Sequence, residues 1–331
     1  MKRIFYIAAA LVSLAACNKV TVTQAPEDHP TKQERCSVTV NVTTGQQTKV
    51  AYQTGSPSSV DNTIANFQVL VFDNGVIDSY GYKNGSDTLN ISCTSGEKTI
   101  YVVTNCGESL KNIKTLSELE STGIDIADTR SNALPMVQKR TVSLPSEEPV
   151  TFTVKRLQSR VILECITFDF LTQALKSADI TLVKVFLNHV PKKNTLKNDD
   201  SYTPDAWYNN DGYMESGLSE DLSKMFRDNV DSKAENGVSY TSIHAFYPMP
   251  TIKSTKTMHL VIECKIDGTV YYYPIEVPGL KANESCTVTN LKIKRRGSDD
   301  PDEPVSFEDI EYEVVKVADW DTTHDYGELE I

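Results

Sequence analysis

The stretch Cys36-Ser37-Val38-Thr39-Val40-Asn41-Val42-Thr43 sets the fold class. Successive side chains of an extended chain point to opposite faces, so Cys36, Val38, Val40 and Val42 share one side and the polar residues take the other. A period of two with β-branched residues marks a strand with one face buried. Phe67–Phe72, Lys98–Val103, Val150–Lys155, Arg160–Thr167, Thr181–Leu187, His259–Ile266, Val270–Val277 and Thr287–Lys294 read as further strands. Asn74-Gly75, Asn84-Gly85, Asp267-Gly268 and Pro278-Gly279 punctuate them as turns. Helical periodicity is confined to Ser109–Glu120, Asp169–Ala178 and Ser219–Phe226, each with a Ser or Asp near its start suited to capping. The repeated strand–helix alternation of an α/β enzyme is missing. The expectation is an all-β chain: two β-sandwiches in tandem, a few short helices, and a seam near Lys155–Ser159.

The chain opens MKRIFYIAAALVSLAAC. Lys2 and Arg3 form a basic start, and Ile4–Ala16 is an apolar run too short to span a bilayer. Leu14-Ala15-Ala16-Cys17 resembles a bacterial lipobox, which implies a signal peptide over residues 1–16 and a diacylated Cys17. Residues 17–36, polar and carrying Pro26 and Pro30, read as a flexible leash from that anchor.

Charge excludes one class of partner. The formal net charge is −12 over 331 residues. Residues 299–331 hold thirteen acids against the single base Lys316, so the tail carries the whole imbalance and the rest is balanced. No basic face suited to nucleic acid is visible. An acidic segment containing Pro301 and Pro304 is expected to stay extended. With Cys17 lipidated, six cysteines remain, without CxxC or metal-ligand spacing, and read mostly as free core thiols. The five histidines show no HxH or HxxxH pattern, and no nucleophile or phosphate-binding motif occurs. The sequence therefore predicts no enzyme, no cofactor and no metal.

Five stretches taken in order carry a family resemblance: FQVLVFDNG (67–75), KTIYVVTN (98–105), VKRLQSRVILE (154–164), HAFYPMP (244–250) and LKANESCTVTNLKIKRRGSDDPDEPV (280–305). With a lipobox before them and a tryptophan-bearing tail after, they resemble the fimbrillins, the type V pilins of Bacteroidia. The resemblance implies two transthyretin-like sandwiches, here 37–156 and 157–298, and a lipoprotein precursor carried to the outer membrane. It implies that a trypsin-like cysteine protease cuts the loop 45–49 after the first strand (37–43), releasing Val38, Val40 and Val42. The best-known members are cut after an arginine; here the equivalent bond follows Lys49 and precedes Val50. The emptied groove then accepts a C-terminal strand from the next copy or an accessory pilin, building an extracellular fimbrium.

The donor lies in the extension 299–331, whose first part reads as a hinge. Tyr312–Trp320 is the donor, with Tyr326–Ile331 a second short strand. Tyr312, Val314, Ala318 and Trp320 share one face with Lys316, and Val315 and Val317 lie on the other. A second reading has this segment closing its own domain's sheet, and both hold in sequence if it docks first and swings out later. The alternative function is a surface lipoprotein binding glycans or host ligands through exposed aromatics such as Trp207-Tyr208 and Tyr271–Tyr273, although three adjacent strand tyrosines cannot share one surface.

Overall fold

Inward-facing valines and phenylalanines organise the first half of the chain. A computed structural model describes residues 34–44, 62–85, 87–303, 305 and 310–317. The first eight strands are β1 (Arg35–Thr44), β2 (Asn66–Asp73), β3 (Val76–Asn84), β4 (Thr88–Thr94), β5 (Gly96–Thr104), β6 (Gly123–Asp125), β7 (Met136–Leu144) and β8 (Val150–Arg156). Seven of them hydrogen-bond in the order β3-β2-β5-β7-β8-β1-β4. Strand β8 turns the corner: Lys155 and Arg156 pair with β7, whereas Val150–Val154 run parallel to β1. Val38, Val40 and Val42 thereby meet Phe67, Val69, Val71, Ile100, Val102 and Phe152 in one core.

The second half begins with β9 (Arg160–Leu163), β10 (Ile166–Phe168), β11 (Ile180–Leu187), β12 (Val190–Pro191) and β13 (Lys193–Thr195). It continues with β14 (Trp207–Tyr208), β15 (Arg227–Ala234), β16 (Ser239–Tyr240) and β17 (His244–Phe246). The last four are β18 (His259–Ile266), β19 (Thr269–Glu276), β20 (Ser285–Ile293) and β21 (Ile310–Val317). One sheet runs β16-β10-β20-β9-β17 with β21 also on β20, and the other runs β15-β11-β18-β19.

The two halves are locked together. The other faces of β2 and β5, carrying Leu70, Phe72, Tyr101 and Val103, join a core that continues through Leu157 and Phe186's neighbours Val185 and Leu187 to Ile310. Strand β6 pairs across the seam with β13. Arg156 is 1% exposed, and its guanidinium donates to Asn283 Oδ1 at 2.9 Å and to Asn62. Burial on both faces explains why β2 reads as a continuous apolar run and not an alternating one.

Several expectations from periodicity are corrected. The helix read over Ser109–Glu120 shrinks to α1 (Leu116–Ser121), whose start is fixed by Thr115 accepting from the Glu118 amide. The others contract to α2 (Gln173–Lys176) and α3 (Glu220–Lys224). Strands β3, β4, β7 and β15 were not legible. In β15 no apolar alternation exists, and it is held at a sheet edge by pairing with β11. Among the described residues, six cysteines are free, in line with core thiols.

Lys98 marks a polar knot in the first half. Its buried ammonium lies 2.9 Å from Asp73, 3.7 Å from Asp78 and 2.7 Å from Thr94 Oγ1, tying together β2, β3, β4 and β5. Losing one partner of a buried ion pair costs about 3–5 kcal/mol. Lys98→Ala should fall at the low end, about 3 kcal/mol, because water still reaches Asp73; a denaturant-unfolding midpoint checks it.

Candidate functional site

Strand β1 sits in mid-sheet. On one side it pairs antiparallel with β4, from Arg35↔Thr94 to Asn41↔Thr88. On the other it pairs parallel with β8, from Val40↔Val150 to Thr44↔Val154. Val38, Val40 and Val42, read from the sequence as the removable strand's inner face, are no more than 3% exposed. The outer face is polar: Thr39 Oγ1 donates to Asn90 Oδ1 at 2.6 Å, and Thr88 Oγ1 donates to Asn41 Oδ1 at 3.0 Å. Taking β1 away therefore opens a slot between β4 and β8, walled by Ile91, Cys93, Val150, Phe152 and Val154. Cys36 and Cys93 stand opposite each other with Sγ atoms 3.9 Å apart, and burial followed by the Cys36 thiol pushes Cys93 up to about 12. Cys17, Lys49 and Val50 lie outside the described residues.

Strand β21 is placed differently. It pairs antiparallel with β20 of its own half, with Val317↔Ser285, Val315↔Thr287, Val314↔Val288 and Ile310↔Ile293 in register. Strand β9, and then β10, occupy the opposite edge of β20 over the same span. Ile310 is buried, and Tyr312 and Val314 pack beside it, the shared face expected from the sequence. Lys316 escapes that face at the strand end, bridging Glu284 at 2.8 Å and donating to the Gly279 carbonyl at 2.7 Å. Among the described residues no strand pairs with the outer edge of β21. Trp320 and Tyr326–Ile331 lie outside the described residues. Strand β1 is thus gripped on two sides and β21 on one.

The acidic extension, expected to stay extended, is instead docked at its start. Pro301 is buried, Ser298 and Tyr272 exchange two backbone hydrogen bonds, and Tyr213 donates to the Asp299 carbonyl at 3.5 Å. Charge counting misses this because the partners come from strand β19 and from the loop at Tyr213. Two histidines that looked isolated also meet: His189 and His259 have ring centroids 6.2 Å apart beside Asp302, and burial lowers the pKa of His259. The aromatics of the alternative reading are dispersed. Tyr273 is buried, Tyr272 packs edge-on against Tyr213, and Tyr208 stacks on Phe226.

Residues 36–158 match the family model of the major fimbrial subunit protein FimA. That span begins in β1 and ends just past β8. Among solved structures, the chain is similar to a candidate cell adhesion protein of Bacteroides eggerthii, with a TM-score of 0.67 at 18% identity over 86% of this chain and 96% of that one. A candidate cell adhesion protein of Parabacteroides distasonis gives 0.60 at 16% identity, covering 85% and 96%. A fimbrilin of Porphyromonas gingivalis gives 0.55 at 14% identity, covering 84% and 96%. At such identities what is shared is the fold, a β-sandwich architecture. No curated protein sequence matches the chain.

One-sided and two-sided pairing should differ in opening free energy. In hydrogen exchange of the uncut chain, a peptide spanning 35–44 should stay protected longer than one spanning 310–317. Equal protection would show the tail to be as firmly held as the first strand.

Proposed function

We propose that this chain is a structural subunit of a fimbria, opened by cleavage after its first strand and joined to the next copy by its C-terminal strand. The observation that carries this reading is the position of β1: first of the described strands, paired on both edges within its sheet, with its three valines in the core. Both its neighbours lie later in sequence, so a cut beyond Thr44 leaves β1 held to its sheet by non-covalent contacts alone. The family match over residues 36–158 supports the fimbrial role.

The energetics favour exchange only after that cut. An uncut β1 competes at the millimolar effective concentration of a short tether, which an incoming strand cannot match. Once the tether is gone, the incoming strand trades one ladder for two. On β20 it has a partner on one edge, whereas in the slot β4 and β8 would flank it. Each added backbone hydrogen bond contributes about 0.5–1.5 kcal/mol net, and alternate apolar side chains replace the three valines in the mode of strand addition. Because β1 and β21 belong to different sheets, the described tail completes β20 and leaves β1's slot for another chain.

In this reading Cys17 carries the lipid that holds the precursor at the outer membrane, and Lys49-Val50 is the processed bond. Tyr312, Val314, Val315, Val317 and Trp320 are the donor residues. The partners are further copies, accessory pilins and the processing protease, and the product is an extracellular adhesive filament.

Protein sheared from cells should begin at Val50 by N-terminal sequencing, and Lys49→Ala should abolish that species. A start at residue 18 or 36 would overturn the assignment. The Cys36–Cys93 pair offers a second check. Oxidation that joins them should keep the cut strand in its slot and leave subunits unpolymerised, while Cys93→Ser should polymerise under the same oxidant. Polymers of the cross-linked chain would show that β1 need not leave.

A further inference from the structure

His189 and His259 come from neighbouring strand ends. Strands β11 and β18 pair up to Leu187↔Leu260, and the Asn188 amide then donates to the His259 carbonyl at 3.1 Å. His189 follows with a left-handed φ of 47°, which turns its ring back over the strand end. The third member, Asp302, belongs to the C-terminal extension, eight residues before Ile310 begins β21. Asn188 Nδ2 donates to Asp302 Oδ1 at 3.2 Å, and the Asp302 amide donates to Asp300 Oδ1 at 2.9 Å. Gly212 closes the other side: a Cβ there would stand 2.9 Å from that of Asp302.

Hydrogen-bond accounting shows what this cluster lacks. His189 Nδ1 is 2.8 Å from the Thr257 carbonyl, which can only accept, so Nδ1 carries the hydrogen. In the neutral ring Nε2 is then a lone pair, and it lies 3.4 Å from Asp302 Oδ2. His259 Nδ1 lies 3.4 Å from Asp302 Oδ1. Both nitrogens are buried, His189 is 5% exposed overall, and neither makes a hydrogen bond. Two buried ring nitrogens that face one carboxylate and lack a hydrogen-bond partner suit a shared cation. The three ligand atoms lie within 4.8 Å of one another.

We propose that His189, His259 and Asp302 bind a divalent transition-metal ion, zinc in the first instance, which fastens the root of the C-terminal extension to the second sandwich. Zinc takes nitrogen at about 2.0–2.1 Å and carboxylate oxygen at about 2.0–2.2 Å, so a tetrahedral site has ligand–ligand edges of about 3.3–3.5 Å. His189 Nε2 and His259 Nδ1 each lie 3.4 Å from the Asp302 carboxylate, the first from Oδ2 and the second from Oδ1, a separation close to such an edge. Calcium and magnesium prefer all-oxygen shells, whereas two imidazoles and a carboxylate suit zinc and its neighbours. The carbonyl behind His189 is the usual device that presents the opposite ring nitrogen to a metal. The Asp302 side chain is 39% exposed, which leaves the fourth position to water and gives the ion a way in.

Metal binding here is independent of strand exchange, and its consequence is mechanical: with the ion in place the tail pivots beyond residue 302. The test uses the full purified chain, stripped with a chelator and titrated with zinc by calorimetry, with metal content measured after dialysis. One zinc per chain is expected, with binding at least tenfold weaker in both His259→Gln and Asp302→Asn. Cobalt should give the intense visible band of a tetrahedral site in the wild-type chain alone. Zinc should also slow hydrogen exchange of a peptide spanning 298–303, and Asp302→Asn should remove that effect. Wild-type protein that retains no zinc overturns the site, as does binding that both variants leave unchanged. Zinc that binds without slowing exchange at 298–303 overturns the fastening.

Discussion

A strand in the middle of a sheet must satisfy its backbone donors and acceptors on both edges, and β1 meets that demand entirely with strands that follow it in the chain. Strands β4 and β8 in turn have β1 as a neighbour along their inner edges. The first sandwich is therefore complete only while something occupies that position. Leaving buried backbone groups unpaired costs about as much as losing the bonds themselves. The slot thus demands a strand but does not specify whose, since backbone hydrogen bonds carry no sequence information. Specificity has to come from the inward pockets at alternate positions, here shaped for valine.

The contrast with β21 follows from the same rule. Strand β20 already holds β9 and β10 on one edge, and β21 covers the other. Covering it shields a flat edge that other chains could pair with. The terminal segment thus has a protective position at home, and leaving it re-exposes an edge on its own domain. In the proposed exchange Tyr312 and Val314 would serve both positions, because strand burial at alternate residues is the same requirement in either sheet.

Much of this was legible where burial is one-sided. Val38, Val40 and Val42 announced a buried strand face because period-two alternation has no other common cause. Phe67–Phe72 was readable as a strand, but its two-sided burial was not, since that depends on a second layer supplied by α1 and the seam. Strand β15 was invisible because Asp228, Asn229 and Asp231 carry no apolar signal and pairing alone holds them extended. The histidine cluster was invisible for a different reason. His189 and His259 are joined by strand register and not by sequence spacing, and Asp302 looked like one more charge in an acidic run. The docking of residues 298–303 depends on individual contacts such as Tyr272 with Ser298, which no period or composition announces.

A core continuous from Leu70 to Ile310, the β6–β13 pair, and the buried Arg156 guanidinium held by Asn283 leave no plane along which one sandwich could slide over the other. The described residues of the two sandwiches therefore move as one stiff body. If such bodies are joined end to end as proposed, flexure collects at the joints, and the persistence of the whole is set by the linker between bodies and hardly at all by the bodies themselves.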